Sequence, residues 1–78
     1  MNIDEIHTAW HKNGRKKNEG NYINGKADGM HIIWYQNGQK KKQGFYKRGR
    51  ADDLLTTWNS KGRKNERYFK NGKEIIHA

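Results

Sequence analysis

The residues of this chain that could do chemistry are four histidines, single aspartates, several runs of lysine and arginine, and nine aromatic rings. Taken as catalytic or metal-binding groups they do not converge. His7 and His31 stand 24 residues apart, as do Asp4, Asp28 and Asp52 in succession. Such spacing places each set at equivalent positions of an internal repeat, on strands roughly 10 Å apart. Two histidines sharing a metal must each lie ~2 Å from it, and two carboxylates so far apart cannot work on one substrate. The chain has no Cys, so no thiolate ligand or nucleophile exists. It also has no Gly-rich phosphate loop and no Ser-His-Asp set. Neither an enzyme nor a bound cofactor or metal is expected, which leaves binding.

Binding chemistry is plentiful. The formal net charge is +9, from 17 Lys and Arg against 8 Asp and Glu. That excess leaves acidic protein surfaces, nucleic acid and anionic lipid headgroups open as partners. The basic residues recur as Arg15-Lys16-Lys17, Lys40-Lys41-Lys42, Lys47-Arg48 and Arg63-Lys64. Stacked repeats would join Lys16, Lys17, Lys40, Lys41, Lys42, Arg48, Arg50, Arg63 and Lys64 into a stripe, with the Lys16/Lys40/Lys64 column near one long edge. Tyr35, Phe45 and Tyr68 are the candidate binding aromatics beside it, on the sheet face opposite Trp10, Trp34 and Trp58. Cations interleaved with rings are what a phosphate-tracking, base-stacking surface uses. The bland alternative is a solvated edge whose lysines prevent edge-to-edge aggregation.

The elements that position these residues follow from the repeat. Asp4-Glu5-Ile6-His7-Thr8-Ala9-Trp10, Asp28-Gly29-Met30-His31-Ile32-Ile33-Trp34 and Asp52-Asp53-Leu54-Leu55-Thr56-Thr57-Trp58 align at a spacing of 24. Periods of roughly 20–50 residues signal stacked supersecondary units. Six turn signals punctuate the chain: Asn13-Gly14, Asn24-Gly25, Asn37-Gly38, Arg48-Gly49, Lys61-Gly62 and Asn71-Gly72. Each interval holds one strand of ordinary length plus a tight turn. The predicted fold is all-β: an antiparallel meander of about three two-strand repeats, approximately 4–27, 28–51 and 52–78, in one elongated twisted sheet. Arg48 and Lys61 tolerate positive φ poorly, which favours three-residue loops in which only Gly takes it. That geometry predicts one face carrying Ile6/Met30/Leu54, Trp10/Trp34/Trp58 and Tyr22/Tyr46/Phe69, with tryptophans and tyrosines interleaved as a packed layer. The third unit is one residue shorter after its first turn and has Arg67 where Gly20 and Gly44 stand. Residues 73–78 resemble the start of a further strand.

At 78 residues, with 31% hydrophobic and 32% charged, a large closed core is unavailable. No apolar run approaches the ~20 residues of a membrane helix. MNIDEIHTAW is not a basic-then-apolar signal segment, so a cytoplasmic, non-membrane location is expected. A single sheet leaves an apolar face that must curl on itself, form a homodimer or meet a partner.

The string N-G-K-x-x-G-x-x-x-x-W-Y-x-N-G-x-x-x-x-x-G-x-Y-x-x-G, from Asn24 to Gly49, resembles the MORN-type repeat. It is most similar to the bacterial variant found in YwqK-type antitoxin proteins. The resemblance extends over nearly the whole chain through the endings Glu19 to Gly25, Gln43 to Gly49 and Glu66 to Gly72. It implies side-by-side β-hairpins and a binding or scaffolding role, and the bacterial variant implies toxin neutralisation. The expected function is therefore a stoichiometric antitoxin, immunity or inhibitor-type protein of bacterial or phage origin. It would occlude an acidic or nucleic-acid-binding surface of another protein. The alternatives are direct DNA or RNA binding and a scaffold repeat fragment of a larger assembly.

Overall fold

Two kinds of tight turn alternate along the chain and determine its topology. At Asn13-Gly14, Asn37-Gly38 and Lys61-Gly62 a three-residue loop is closed by His11 N to Arg15 O (2.8 Å), Tyr35 N to Gln39 O (2.8 Å) and Asn59 N to Arg63 O (3.0 Å). Here only the glycines have positive φ (87°, 90° and 85°), so Lys61 is accommodated as expected. The other three turns differ. Asn24, Arg48 and Asn71 each have φ 53°, and the glycines after them 81–84°. With Ile23–Lys26, Lys47–Arg50 and Lys70–Lys73 paired directly, these are two-residue type I′ loops, whose twist matches that of the flanking strands. The expectation of three-residue loops throughout is corrected here: Arg48 is held left-handed, at a cost on the order of 1 kcal/mol.

In the computed structural model, which describes residues 4–76, the turns join β1 (Asp4–Trp10), β2 (Lys16–Ile23), β3 (Lys26–Trp34), β4 (Lys40–Lys47), β5 (Arg50–Trp58), β6 (Lys64–Lys70) and β7 (Lys73–Ile75). They form one antiparallel meander sheet in sequence order. Asp4 begins β1, whereas Asp28 and Asp52 lie inside β3 and β5. The further strand expected over 73–78 is present as β7; His77 and Ala78 lie outside the described residues. The sheet measures 41 × 34 × 10 Å, a single layer nearly as broad as it is long. Among the described residues no hydrophobic side chain is fully buried; Gly20, Gly44 and Thr56 are the buried positions.

Two recurrent irregularities set which side chains share a face. In the first hairpin Trp10 pairs with Lys16 but Ala9 with Asn18; in the second Trp34 pairs with Lys40 but Ile33 with Lys42. Lys17 and Lys41 are thus extra residues, and each bulge flips the rest of its strand. Met30 consequently pairs with Phe45, Ile32 with Gln43 and His31 with Gly44. The predicted shared face of Trp and Tyr is overturned: Tyr22 and Tyr46 lie with His31, opposite the tryptophans. The third hairpin pairs without a bulge, from Trp58–Lys64 to Asp53–Phe69. That is the origin of its missing residue. Phe69 accordingly lies opposite Trp58's face too. The second irregularity sets three residues of β3, 28–30, against Asn21 alone, and recurs between β4 and β5. Gly29 (φ 101°) and Asp53 (φ 70°) occupy it in equivalent places. Asp is among the few side chains that tolerate this region, so the missing glycine does not change the backbone.

Because the third hairpin is a bulge-free version of the second, deleting Lys41 should be tolerated. We expect the stability to change by less than about 1 kcal/mol in thermal unfolding. Deleting Phe45 should unfold the sheet, because a one-residue slip there turns every following side chain over.

Consecutive repeats are tied by a repeated bond. His11 Nε2–H donates to Trp34 O (2.9 Å), and Tyr35, the equivalent residue one repeat on, donates its hydroxyl to Trp58 O (2.7 Å). At the other ends of the strands Gly49 N donates to Ala27 O (2.7 Å) and Gly72 N to Ala51 O (2.8 Å). The turns of the second and third repeats are therefore bonded at or beside their ends to the previous repeat, which keeps the sheet flush at both edges.

Candidate partner-binding faces

Cross-strand partners share a face, so the register sorts the side chains into two surfaces. One, the histidine face, carries His7, Tyr22, His31, Ile33, Tyr35, Tyr46, Leu55 and Phe69. Its rings form an edge-to-face ladder across four strands: His7–Tyr22 at 4.8 Å, Tyr22–His31 at 5.0 Å and His31–Tyr46 at 5.1 Å between centroids. Such pairs each contribute about 0.5–1.5 kcal/mol beyond area burial. His31 packs over the bare backbone of Gly20 and donates from Nε2 to Asn21 O (2.8 Å). Leu55 covers Gly44 in the same way. The glycines are small because a side chain crosses them from the next strand. The packed layer of the protein lies here, and its histidines serve as packing. Among the described residues no group of His, Asp and Glu is placed to hold a metal.

The opposite, tryptophan face is less covered. Ile6, Trp10, Met30, Phe45, Tyr68 and Ile75 are the strand residues with large exposed apolar side chains, and the register puts all six on it. Exposure reaches 73% at Ile6 and 59% at Trp10. A shallow groove of about 390 Å³ runs over Asn21 between Ile6, Met30 and Ile32. Thus Phe45 and Tyr68, expected on the face opposite Trp, are exposed beside the tryptophans. Tyr35 is on the histidine face as a half-buried clamp.

The cations expected to form one stripe are divided between two edges. Lys16, Lys40 and Lys64 align at the first edge, on the tryptophan face, and are bound internally. Lys16 pairs with Glu19 (3.0 Å) and lies 5.9 Å from the Trp34 ring; Lys40 donates to Gln43 Oε1 (2.7 Å); Lys64 lies 3.9 Å from Glu66. The bulge residues Lys17 and Lys41 reach the histidine face beside His11, Ile33 and Tyr35, where Lys41 sits 5.6 Å from the Tyr35 ring. Lys42 is on this face as well, and Arg63 closes the third loop at the same edge. Arg48 and Arg50 lie a full strand away, roughly 25 Å for an eight-residue strand. There they meet Lys26 and Lys47, with Lys70 and Lys73 beyond. These additional cations flank the two-residue turns. A signal was present in the sequence, since residues bracketing such a turn are directly paired and so point the same way.

Glu19 titrates below the usual carboxylate range. The main cause is the hydrogen bond from the Lys16 ammonium; burial opposes it, and the Thr8 hydroxyl and the Lys16 charge assist. Because the folded-state value is depressed, its stabilising effect is present above the ordinary carboxylate range and disappears as pH falls through the folded value. Lys16→Ala should raise the Glu19 titration midpoint towards the unperturbed value, as followed by carboxyl NMR. An unmoved midpoint would contradict the pairing.

Comparison with known protein families, with curated proteins and with solved structures finds no match to the chain. The class that the structure itself defines is a single-layer antiparallel β-meander with one apolar face bordered by cations at both edges. No helix among the described residues is long and apolar enough to cross a membrane.

Proposed function

We propose that this protein is a non-enzymatic binding protein that covers the surface of another protein, with the tryptophan face as its contact. The observation that carries this reading is the segregation of six exposed apolar strand residues onto one face, between Lys16/Lys40/Lys64 at one edge and Lys26/Lys47/Arg50 at the other. Contiguous exposed apolar surface of this kind marks an interface. A face 41 by 34 Å across is ample for the ~800 Å² that each partner contributes to a standard complex. Its charge complement is an apolar patch bordered by carboxylates. Covering such a patch stoichiometrically is how an antitoxin, immunity protein or inhibitor acts. Light scattering and ANS fluorescence on the isolated chain test the premise: ANS should bind, and Phe45→Lys with Tyr68→Lys should abolish it. A strict monomer with no ANS binding contradicts the reading.

One observation favours a second reading, direct DNA or RNA binding. Exposed Phe45 and Tyr68 share their face with Lys47 and Lys70, as stacking rings beside phosphate contacts would. This reading requires duplex affinity to fall with salt at a log–log slope near −0.9 per phosphate neutralised. No oligonucleotide shift at low salt eliminates it.

A further inference from the structure

We propose that the depression at the two-residue-turn edge, between the Arg48-Gly49 and Asn71-Gly72 turns, is a binding site for a multiply charged phosphate-type anion. It lies at the rim of the tryptophan face, where Lys26, Lys47 and Arg50 also border the proposed protein contact, and its test needs no protein partner. Lys26, Lys47, Arg48 and Arg50 line it together with Asn71, around a volume of about 510 Å³.

Three features of this cluster carry the proposal. First, its four cations form no ion pair among the described residues, as holds for most Lys and Arg there, Lys16, Lys64 and Arg67 being paired. The carboxylate of Asp28 approaches only the backbone N–H of Arg48, at 3.5 Å. Second, the cluster is built by the fold. The Lys26 stem packs beside Gly49, and the Arg50 stem beside Gly72; a Cβ on either glycine would sit 3.8 Å or 3.5 Å from them. The bonds from Gly49 N to Ala27 O and from Gly72 N to Ala51 O hold those turns in place. The charged ends are thereby directed to one rim with part of their rotamer freedom already lost. Third, like charges held this close repel one another, and a ligand with two or more negative charges relieves that repulsion best. Two guanidinium forks beside two ammonium groups suit the oxygens of a phosphate, which Arg binds bidentately and Lys as a point charge.

The test is an amide NMR titration of the full chain with inorganic triphosphate at low salt, repeated on two charge-matched double variants. Lys26→Gln with Arg50→Gln should weaken binding about tenfold or more. Lys16→Gln with Lys64→Gln, which removes the same charge from the opposite edge, should change it less than about twofold. Shifts should centre on residues 26, 47–50 and 71. Equal weakening by both doubles, shifts spread over both edges, or no saturable binding would overturn the proposal. Competition by oligothymidylate then separates sources. Displacement of triphosphate assigns the site to phosphodiester backbone, and failure to displace assigns it to a free phosphate compound; either presupposes the selective loss in the rim variant.

Discussion

Gly44→Val should destabilise the sheet interior strongly, lowering stability by about 1–3 kcal/mol through overpacking. Gly44 is buried in the middle of β4, paired with His31 on one side and Leu55 on the other. A Cβ there would enter the space of the Leu55 side chain and approach the backbone of Leu54 and Leu55. The strand cannot retreat, because it is laddered to β3 and β5 along its length. For a domain of this size each kcal/mol lowers the midpoint by about 4–8 °C, so thermal unfolding reads the effect directly. Gly44→Val combined with Leu55→Ala should recover part of the loss, since the shorter side chain reopens the space. A Gly44→Val midpoint equal to wild type would show that Leu55 does not pack over the strand. The equivalent residue of the third hairpin, Arg67, carries a long side chain and is exposed. Among the described residues β7 pairs only with Tyr68, Phe69 and Lys70, so Arg67 has no paired residue on that side as Gly44 has Leu55, and its guanidinium lies 3.5 Å from Glu74.

Phe45→Lys with Tyr68→Lys should cost the partner complex at least about a hundredfold in affinity, the scale of losing two buried aromatic anchors. Both rings are exposed on the tryptophan face, at 47% and 45%. Truncating or charging them removes contact area without disturbing the His–Tyr ladder that packs the opposite side. Asn18→Lys with Asn65→Lys adds two charges at exposed positions of the histidine face and is the matched control. Its affinity should remain within about threefold of wild type. The contrast between faces carries the meaning of the result, because a purely electrostatic association would respond to both doubles with the same sign: stronger binding to an acidic partner.

Much of this fold was legible in the residues. The 24-residue period and the six X-Gly turns gave the strand number and the meander, because turn chemistry is local and glycine marks it. Lys61 correctly indicated a three-residue loop. Arg48 misled, since a tertiary ladder on both sides can hold a poor residue in a left-handed turn. The face assignment failed for a different reason. A bulge is one residue in an otherwise regular pattern, and Lys17 and Lys41 look like any other members of lysine runs. The shortened third repeat held the clue: its missing residue is the bulge itself. The candidate site was half visible. Phe45 and Tyr68 are exposed, but beside the tryptophans instead of opposite them. In the lysine runs Lys16, Lys40, Lys64 and Lys41 are engaged by Glu19, Gln43, Glu66 and the Tyr35 ring, while the rim cluster adds Lys26, a lone cation beside a turn, to Lys47, Arg48 and Arg50. Exposed Ile6, Trp10 and Met30 could not be distinguished from packed residues until the register showed which face lacked a covering layer.

The most direct test of the central claim is photo-crosslinking in source cells from each face in turn, with a photoreactive phenylalanine analogue replacing either Phe45 or Asn65. A tryptophan-face interface predicts a discrete one-to-one protein adduct from position 45, its abundance sharply reduced when Tyr68→Lys is added, and none from position 65. A discrete adduct from position 65 alone, or crosslinks from position 45 to nucleic acid instead of protein, would contradict it.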